Sequence, residues 1–261
     1  MNNITHRLGY EQIYLERLRE TKSMITFVSL LEALDQGIDQ GLNYHNLMEE
    51  AYIVAQHANP NGLPTQTPDI SCITSVIRSN IKIMIYNIIE FSITNLLQAI
   101  YDKIKDEQCG YIDISESLQA VWHHTRIKNS LQDPNANNNT VERISKQLLD
   151  DAISNSTLRF NAKKSIPGGN LDGEKIIRLF KDHGVAIHPS CCSYRENELK
   201  DIKDRRNDLA HGSVSFTEAG NQVTTSELAE LSDNVDSFLQ QLKKDVIDYL
   251  NNGEYRSRAE K

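Results

Sequence analysis

With 261 residues, the chain is long enough for one large or two small domains, and its core needs no disulfide or metal to hold it together. Its 39% hydrophobic and 25% charged residues are ordinary for a globular protein. A formal net charge of -8 excludes a surface that grips nucleic acid over its whole extent, so contact with phosphates has to come from a local basic patch.

The first residues, MNNITHRLGYEQ, have neither an apolar signal core nor the Arg-rich, acid-poor character of a transit peptide, and the expectation is a cytoplasmic protein. Between about residues 10 and 35, Ile13, Leu15, Leu18, Met24, Ile25, Val28, Leu31 and Leu34 recur at three- and four-residue spacings. This predicts an amphipathic helix, with a shorter one over 44–57. Pro60, Pro64 and Pro68 in ANPNGLPTQTPD then predict an extended connector. Residues 71–105 contain neither glycine nor proline. Ile77, Ile81, Met84, Ile85, Ile88, Ile89, Leu96, Leu97, Ile100 and Ile104 form an apolar stripe along a helix of roughly 50 Å. Its most apolar part, IKIMIYNIIEFSI, is interrupted by Lys82, Asn87 and Glu90, so no run is expected to span a bilayer.

Further helices are predicted over 113–130, 140–153, 172–183, 194–211 and 225–250. The breaks between them include DPNANNNT with Pro134, SIPGGNLDG with Pro167, and IHPSCCS with Pro189. Asp172 is placed to cap one helix, and Thr224 with Glu227 to form a capping box at the last. No βαβ alternation or internal repeat is present, and the fold class is all-α. The breaks divide the chain into an N-terminal helical segment with its connector (1–69), a helical domain (70–251) and a polar C-terminal tail (252–261).

Metal and nucleotide signatures are weak. Cys72, Cys109, Cys191 and Cys192 show no C-x-x-C spacing, and the adjacent pair would make a strained disulfide, so free thiols in a reducing compartment are expected. His188 lies near Cys191 and Cys192, and His123 and His124 are adjacent, yet no second ligand pair has zinc-site spacing. GGNLDG lacks the lysine and hydroxyl of a phosphate-binding P-loop. No metal or cofactor is expected.

RRNDLAHG (205–212) is different. A helix over 194–211 has Leu199, Ile202 and Leu209 on its core side, with Lys203 and Arg206 able to project outward. Asn207 and His211 share a face. Arg206 and His211 are five residues apart, roughly 140° around the helix, so one straight helix does not bring guanidinium and imidazole together. They converge if the helix unwinds at Gly212, or if two copies meet across a dimer axis. The structural alternative is a helix C-cap, where a histidine followed by glycine is common.

RNDLAHG, with its arginine, four residues and histidine, resembles the R-x4-H motif of HEPN-domain ribonucleases. GNLDGEKIIRLFKDHG (169–184) and ENELKDIKDRRNDLAHGSVSFTEAG (196–220) resemble the prokaryotic MAE-type branch of that superfamily. YNIIEFSITNLLQAIYD (86–102) is similar to its first core helix. The resemblance covers about residues 70–250.

It implies a HEPN-like helical bundle with additional N-terminal helices, dimerising so that two motifs line one composite active site. It also implies metal-independent RNA cleavage, in prokaryotic defence or as a toxin-like effector, with an antitoxin or sensor protein as a further partner. Carried over, His211 is the catalytic acid or base, Arg206 steadies charge on the phosphoryl oxygens, and Asn207 orients the phosphate or the imidazole. Arg205 and Lys203 are RNA-binding candidates, although five basic residues in 195–206 face four acidic ones. Glu90 and Asn87 either form a second shell in the cleft or are solvated or bundle-spanning polar positions. The alternative is a non-catalytic HEPN-like module that binds a partner protein, a nucleotide or RNA.

Overall fold

The long rod predicted over 71–105 exists, one residue longer at each end. In the computed structural model, which describes residues 8–39, 53–54, 57, 69–131, 138–166, 171–192 and 196–257, it is a helix over Ile70–Asp106. The described residues form ten helices: α1 (Leu8–Asp39), α2 (Ile70–Asp106), α3 (Glu116–Leu131), α4 (Asn138–Ser154), α5 (Ala162–Ser165), α6 (Gly173–Asp182), α7 (Pro189–Cys192), α8 (Glu196–His211), α9 (Phe216–Asn221) and α10 (Thr225–Asn251). No strand occurs among them, and the fold is all-α. The proline connector, the Pro134 and Pro167 loops, and all but residues 53, 54 and 57 of the helix expected over 44–57 lie outside the described residues.

The chain forms two compact units. One comprises Met1–Tyr14, Ile88–Lys203 and Val235–Lys261, and the other Leu15–Asn87 and Asp204–Asn234. Both are discontinuous in sequence, unlike the linear division at residue 70, because α1, α2, α8 and α10 each contribute residues to both.

In the first unit, the aliphatic line Ile88, Ile89, Ile93, Leu96, Leu97, Ile100 and Ile104 of α2 is buried, as are Trp122, Phe180, Leu242 and Tyr249. α3 packs against α4, α5 and α6. Residues 252–257, expected to belong to a polar tail, fold back instead. Tyr255 is buried, its hydroxyl bonds Glu107, and Arg256 pairs with Glu107 at 2.7 Å. An antiparallel bridge joins Ile114 to Arg256, and Ser115 N–H donates to Tyr255 O at 2.8 Å. A turn over 111–113 and that pairing occupy the chain up to Ser115, so α3 starts at Glu116 rather than at 113.

The second unit has a polar tie inside it. Glu32 of α1 accepts from Arg78 Nε of α2 at 2.9 Å and from Thr225 Oγ1 of α10. The predicted capping box opens α10: Thr224 N–H donates to Glu227 Oε2 at 2.7 Å, and Glu227 N–H to Thr224 Oγ1 at 3.2 Å.

α2 corrects the expectation that no run could span a bilayer. An 18-residue window within it has mean hydropathy 1.4 and passes by length and composition, since its polar residues are too sparse to break it. Half of that window is buried within the fold.

His183, at the end of α6, is a buried neutral base. Its Nδ1–H donates to Leu179 O at 2.6 Å, and its Nε2 accepts from the Tyr101 hydroxyl at 2.7 Å. Burial pushes its pKa down from the ordinary value of 6.5, against the upward pull of the Leu179 carbonyl and Asp182. Because the folded chain refuses a proton that the unfolded chain accepts, this contribution to stability is fully present above pH 6.5 and is lost as the pH falls toward the depressed value. The urea midpoint is therefore expected to drop between about pH 7.5 and about pH 5.5, with a shallower slope in His183→Gln. Parallel slopes for the two proteins would refute this assignment.

Candidate active site

α8 buries Leu199, Ile202 and Leu209, as the spacing predicted. It runs without interruption to His211, then stops on Gly212 at φ 71°. Gly212 N–H donates to Leu209 O at 3.3 Å and Ser213 N–H to Asp208 O at 3.0 Å, the two bonds of a Schellman ending. Ser213 Oγ adds a bond to Asp208 O at 3.1 Å. The helix-cap reading is thus correct for the backbone. The His211 side chain is a separate matter: it is exposed, and among the described residues it has no hydrogen-bond partner.

A Cβ on Gly212 would meet nothing within 4 Å. Gly212→Ala therefore costs only the left-handed backbone, about 1 kcal/mol, and loosens the end that presents His211. Thermal unfolding should show a small loss of stability. A variant as stable as the parent would contradict the geometry.

After the turn, Ser215 caps α9 by accepting from Glu218 N–H at 3.1 Å. Within the second unit α9 lies against the first turns of α2. The Ser75 hydroxyl bonds Asn221 Oδ1, Cys72 Sγ is 3.6 Å from Thr217 Oγ1, and Gly220 sits directly on the Ser75 carbonyl.

The arginines brace this arrangement. Arg205 Nη2 donates to Gln222 Oε1, past the end of α9. Arg206 does not project freely outward: it is half-buried, with its guanidinium 5.4 Å from the ring centre of buried Tyr86 and Nη1 donating to Asn207 Oδ1 at 3.2 Å. A guanidinium over a ring is held in orientation while keeping its charge. No hydrogen bond joins Arg206 to His211 among the described residues, and α8 does not unwind before His211. The helix leaves its course only at Gly212, one residue beyond the imidazole.

Lys203 is also committed. Its ammonium lies 3.3 Å from Asp172 Oδ2, with only 12% of the side chain exposed. Asp172 Oδ1 accepts from Lys175 N–H at 3.0 Å and so caps α6, as expected. Burial alone would raise the Asp172 carboxyl, but the bonds from Lys175 and Lys203 outweigh it and hold its pKa below the ordinary value. Asn87 is exposed and Glu90 half-buried, and neither side chain has a hydrogen bond among the described residues.

Tyr86 and Gln222, which fix the two arginines, were missed by the sequence reading. Tyr86 lies in an apolar run and reads as core, and nothing local links either residue to the motif. His188 Nδ1 is engaged with Ser190 Oγ at 2.7 Å, and His123 stacks on Tyr111 at 5.2 Å.

A family model of the MAE-type HEPN-like group matches residues 13–255. Comparison with curated proteins and comparison with solved structures each return no match.

Proposed function

The chain belongs to the MAE-type HEPN-like family, and on that premise we propose that it is a metal-independent endoribonuclease of the HEPN type. The observation that carries this reading is the presentation of the motif: Arg206 is held in place over Tyr86, and the His211 imidazole is exposed at an ordered helix end. In the proposed reaction the 2′-oxygen of the RNA attacks phosphorus as its proton passes to a base. The bond from phosphorus to the 5′-oxygen breaks, and that oxygen receives a proton. The products are a 2′,3′-cyclic phosphate and a 5′-hydroxyl.

His211 takes or supplies a proton, Arg206 steadies the phosphoryl oxygens and Asn207 orients one of them. Arg205 and Lys203 are engaged with Gln222 and Asp172, so a contact with neighbouring phosphates would have to share their donors with these partners. Incubating labelled RNA with the protein in EDTA tests the reading, and survival of DNA under the same conditions is expected.

The composite cleft requires a homodimer. Sedimentation at micromolar concentration should show a dimer, and a strict monomer with full nuclease activity would rule out the shared site. A role in prokaryotic defence or as a toxin-like effector, in the cytoplasm and under an antitoxin or sensor, completes the proposal. Growth arrest on induction, relieved by Arg206→Ala and by His211→Ala, would support it.

The second reading, a non-catalytic module that binds protein, nucleotide or RNA, is favoured by one observation. Lys203 spends its charge on Asp172 with only 12% of its side chain exposed, in a chain that is acidic overall. Under it, no RNA is cut in any condition and His211→Ala has no phenotype.

A further inference from the structure

A cleft of about 310 Å3 opens in the first unit between α2 and the segment joining α4 to α5. Gln98, Asp102 and Lys105 line one wall, at positions that share a face of α2. Arg159 and Phe160 line the other.

The second wall is anchored at both ends. Leu158 N–H donates to Cys109 O at 3.0 Å, and Asn161 caps α5 by accepting from Lys164 N–H at 3.2 Å. Between these anchors, Phe160 stacks on Tyr101 with ring centres 4.7 Å apart and planes 14° apart. The Tyr101 hydroxyl is fixed in turn by His183 and Ser165 at 2.7 and 2.9 Å. The aromatic surface is therefore held in place before any ligand arrives.

The cations point to the ligand. Lys105 and Arg159 are exposed and, among the described residues, neither has an ion pair, although acids outnumber bases in this chain. Gln98 Nε2 donates to Asp102 Oδ1 at 2.7 Å, which leaves the Gln98 carbonyl as an oriented acceptor. Two cations call for an anion, a clamped ring for a planar group, and amide and carboxylate acceptors for hydroxyls or an amine. The volume lies at the small end for a ligand pocket. Base, sugar and phosphate together meet all three demands.

We propose that this cleft binds one nucleoside monophosphate unit, either free or as a residue of single-stranded RNA. The base lies against Phe160, the phosphate between Lys105 and Arg159, and the sugar hydroxyls or base amine on Gln98 and Asp102. None of these residues belongs to the R-x4-H motif, and the proposal does not depend on cleavage there.

The test uses the full chain carrying His211→Ala, so that RNA stays intact during calorimetric titration. Inorganic phosphate, the four 5′-ribonucleoside monophosphates, oligouridylate and oligoadenylate are the probes. Nucleotide binding is expected, weakened at least about tenfold by Lys105→Ala with Arg159→Ala, since charged hydrogen bonds are lost. Phe160→Leu, which keeps an apolar side chain but removes the ring, should weaken nucleotides without changing phosphate. Binding of monophosphates identifies a free nucleotide as the ligand, and binding of oligonucleotides alone identifies an RNA strand. The proposal is overturned if no probe binds, if the double variant with a native circular dichroism spectrum binds as the parent does, or if phosphate alone binds as tightly as nucleotide. A protein that cuts no RNA yet binds nucleotides here would sink the nuclease reading and leave this one standing.

Discussion

Replacing His211 with alanine is expected to lower RNA cleavage by about a hundredfold to ten-thousandfold, the usual contribution of a positioned acid or base. The fold should not notice the change. The imidazole is exposed and has no hydrogen-bond partner among the described residues, and the Schellman bonds that end α8 run through backbone atoms of Asp208, Leu209, Gly212 and Ser213. Loss of rate with unchanged thermal stability therefore isolates chemistry from structure. Arg206→Ala is less clean, because it also removes a cation from the face of Tyr86 and a bond to Asn207.

Two controls sharpen the result. A single 2′-deoxy substitution at the cleaved nucleotide should block cutting there, because the attacking oxygen is gone. The product should carry a cyclic phosphate. Equal cleavage by wild type and His211→Ala, or a linear 3′-phosphate formed directly, would end the proposed mechanism.

The largest structural effect is expected from Gly220→Ala. A Cβ at this position would stand 1.7 Å from the Ser75 carbonyl oxygen and 2.4 Å from its carbon. Both obstacles are backbone atoms inside α2, so no rotamer can clear the clash. α9 has to move away from α2, and the bond between Ser75 and Asn221 is lost with it. We expect a cost of about 3 kcal/mol or more, the upper range for overpacking. At this chain length that lowers Tm by about 6 to 12 °C. Cleavage should fall as well, since Arg205 is braced on Gln222 just beyond α9. A Tm within about 1 °C of the parent would mean that α9 does not lie on α2 in solution. The contrast with Gly212 is instructive: there the surrounding space is empty and only the backbone conformation objects.

Much of the fold was legible because helix chemistry is local. The predicted helices over 140–153, 172–183 and 225–250 match α4, α6 and α10 within two residues at each end, and their caps on Asp172 and Thr224 form as expected. In α1, the reading listed Ile13 and Leu15, which are exposed, and passed over Tyr14 and Thr21, which are buried. Both buried residues have satisfied polar tips: Tyr14 donates to Asp236 Oδ1 at 2.6 Å, and Thr21 to Arg17 O at 3.0 Å. A count of aliphatic side chains cannot foresee the partner of Tyr14, more than two hundred residues away, and it passes over a threonine whose hydroxyl is satisfied within its own helix.

The same division holds at the motif. Residue order alone determined that α8 ends at His211, because glycine is the residue that takes the left-handed turn cheaply, and that Arg206 and His211 diverge around one helix, because 3.6 residues make a turn. Residue order also carried the likeness that the family match bears out. Only the folded chain decided that Arg206 lies over Tyr86, that Arg205 reaches Gln222 and that Lys203 is spent on Asp172. A charge seeks the nearest opposite or polarisable group in space, and side chains brought together by packing are distant in sequence.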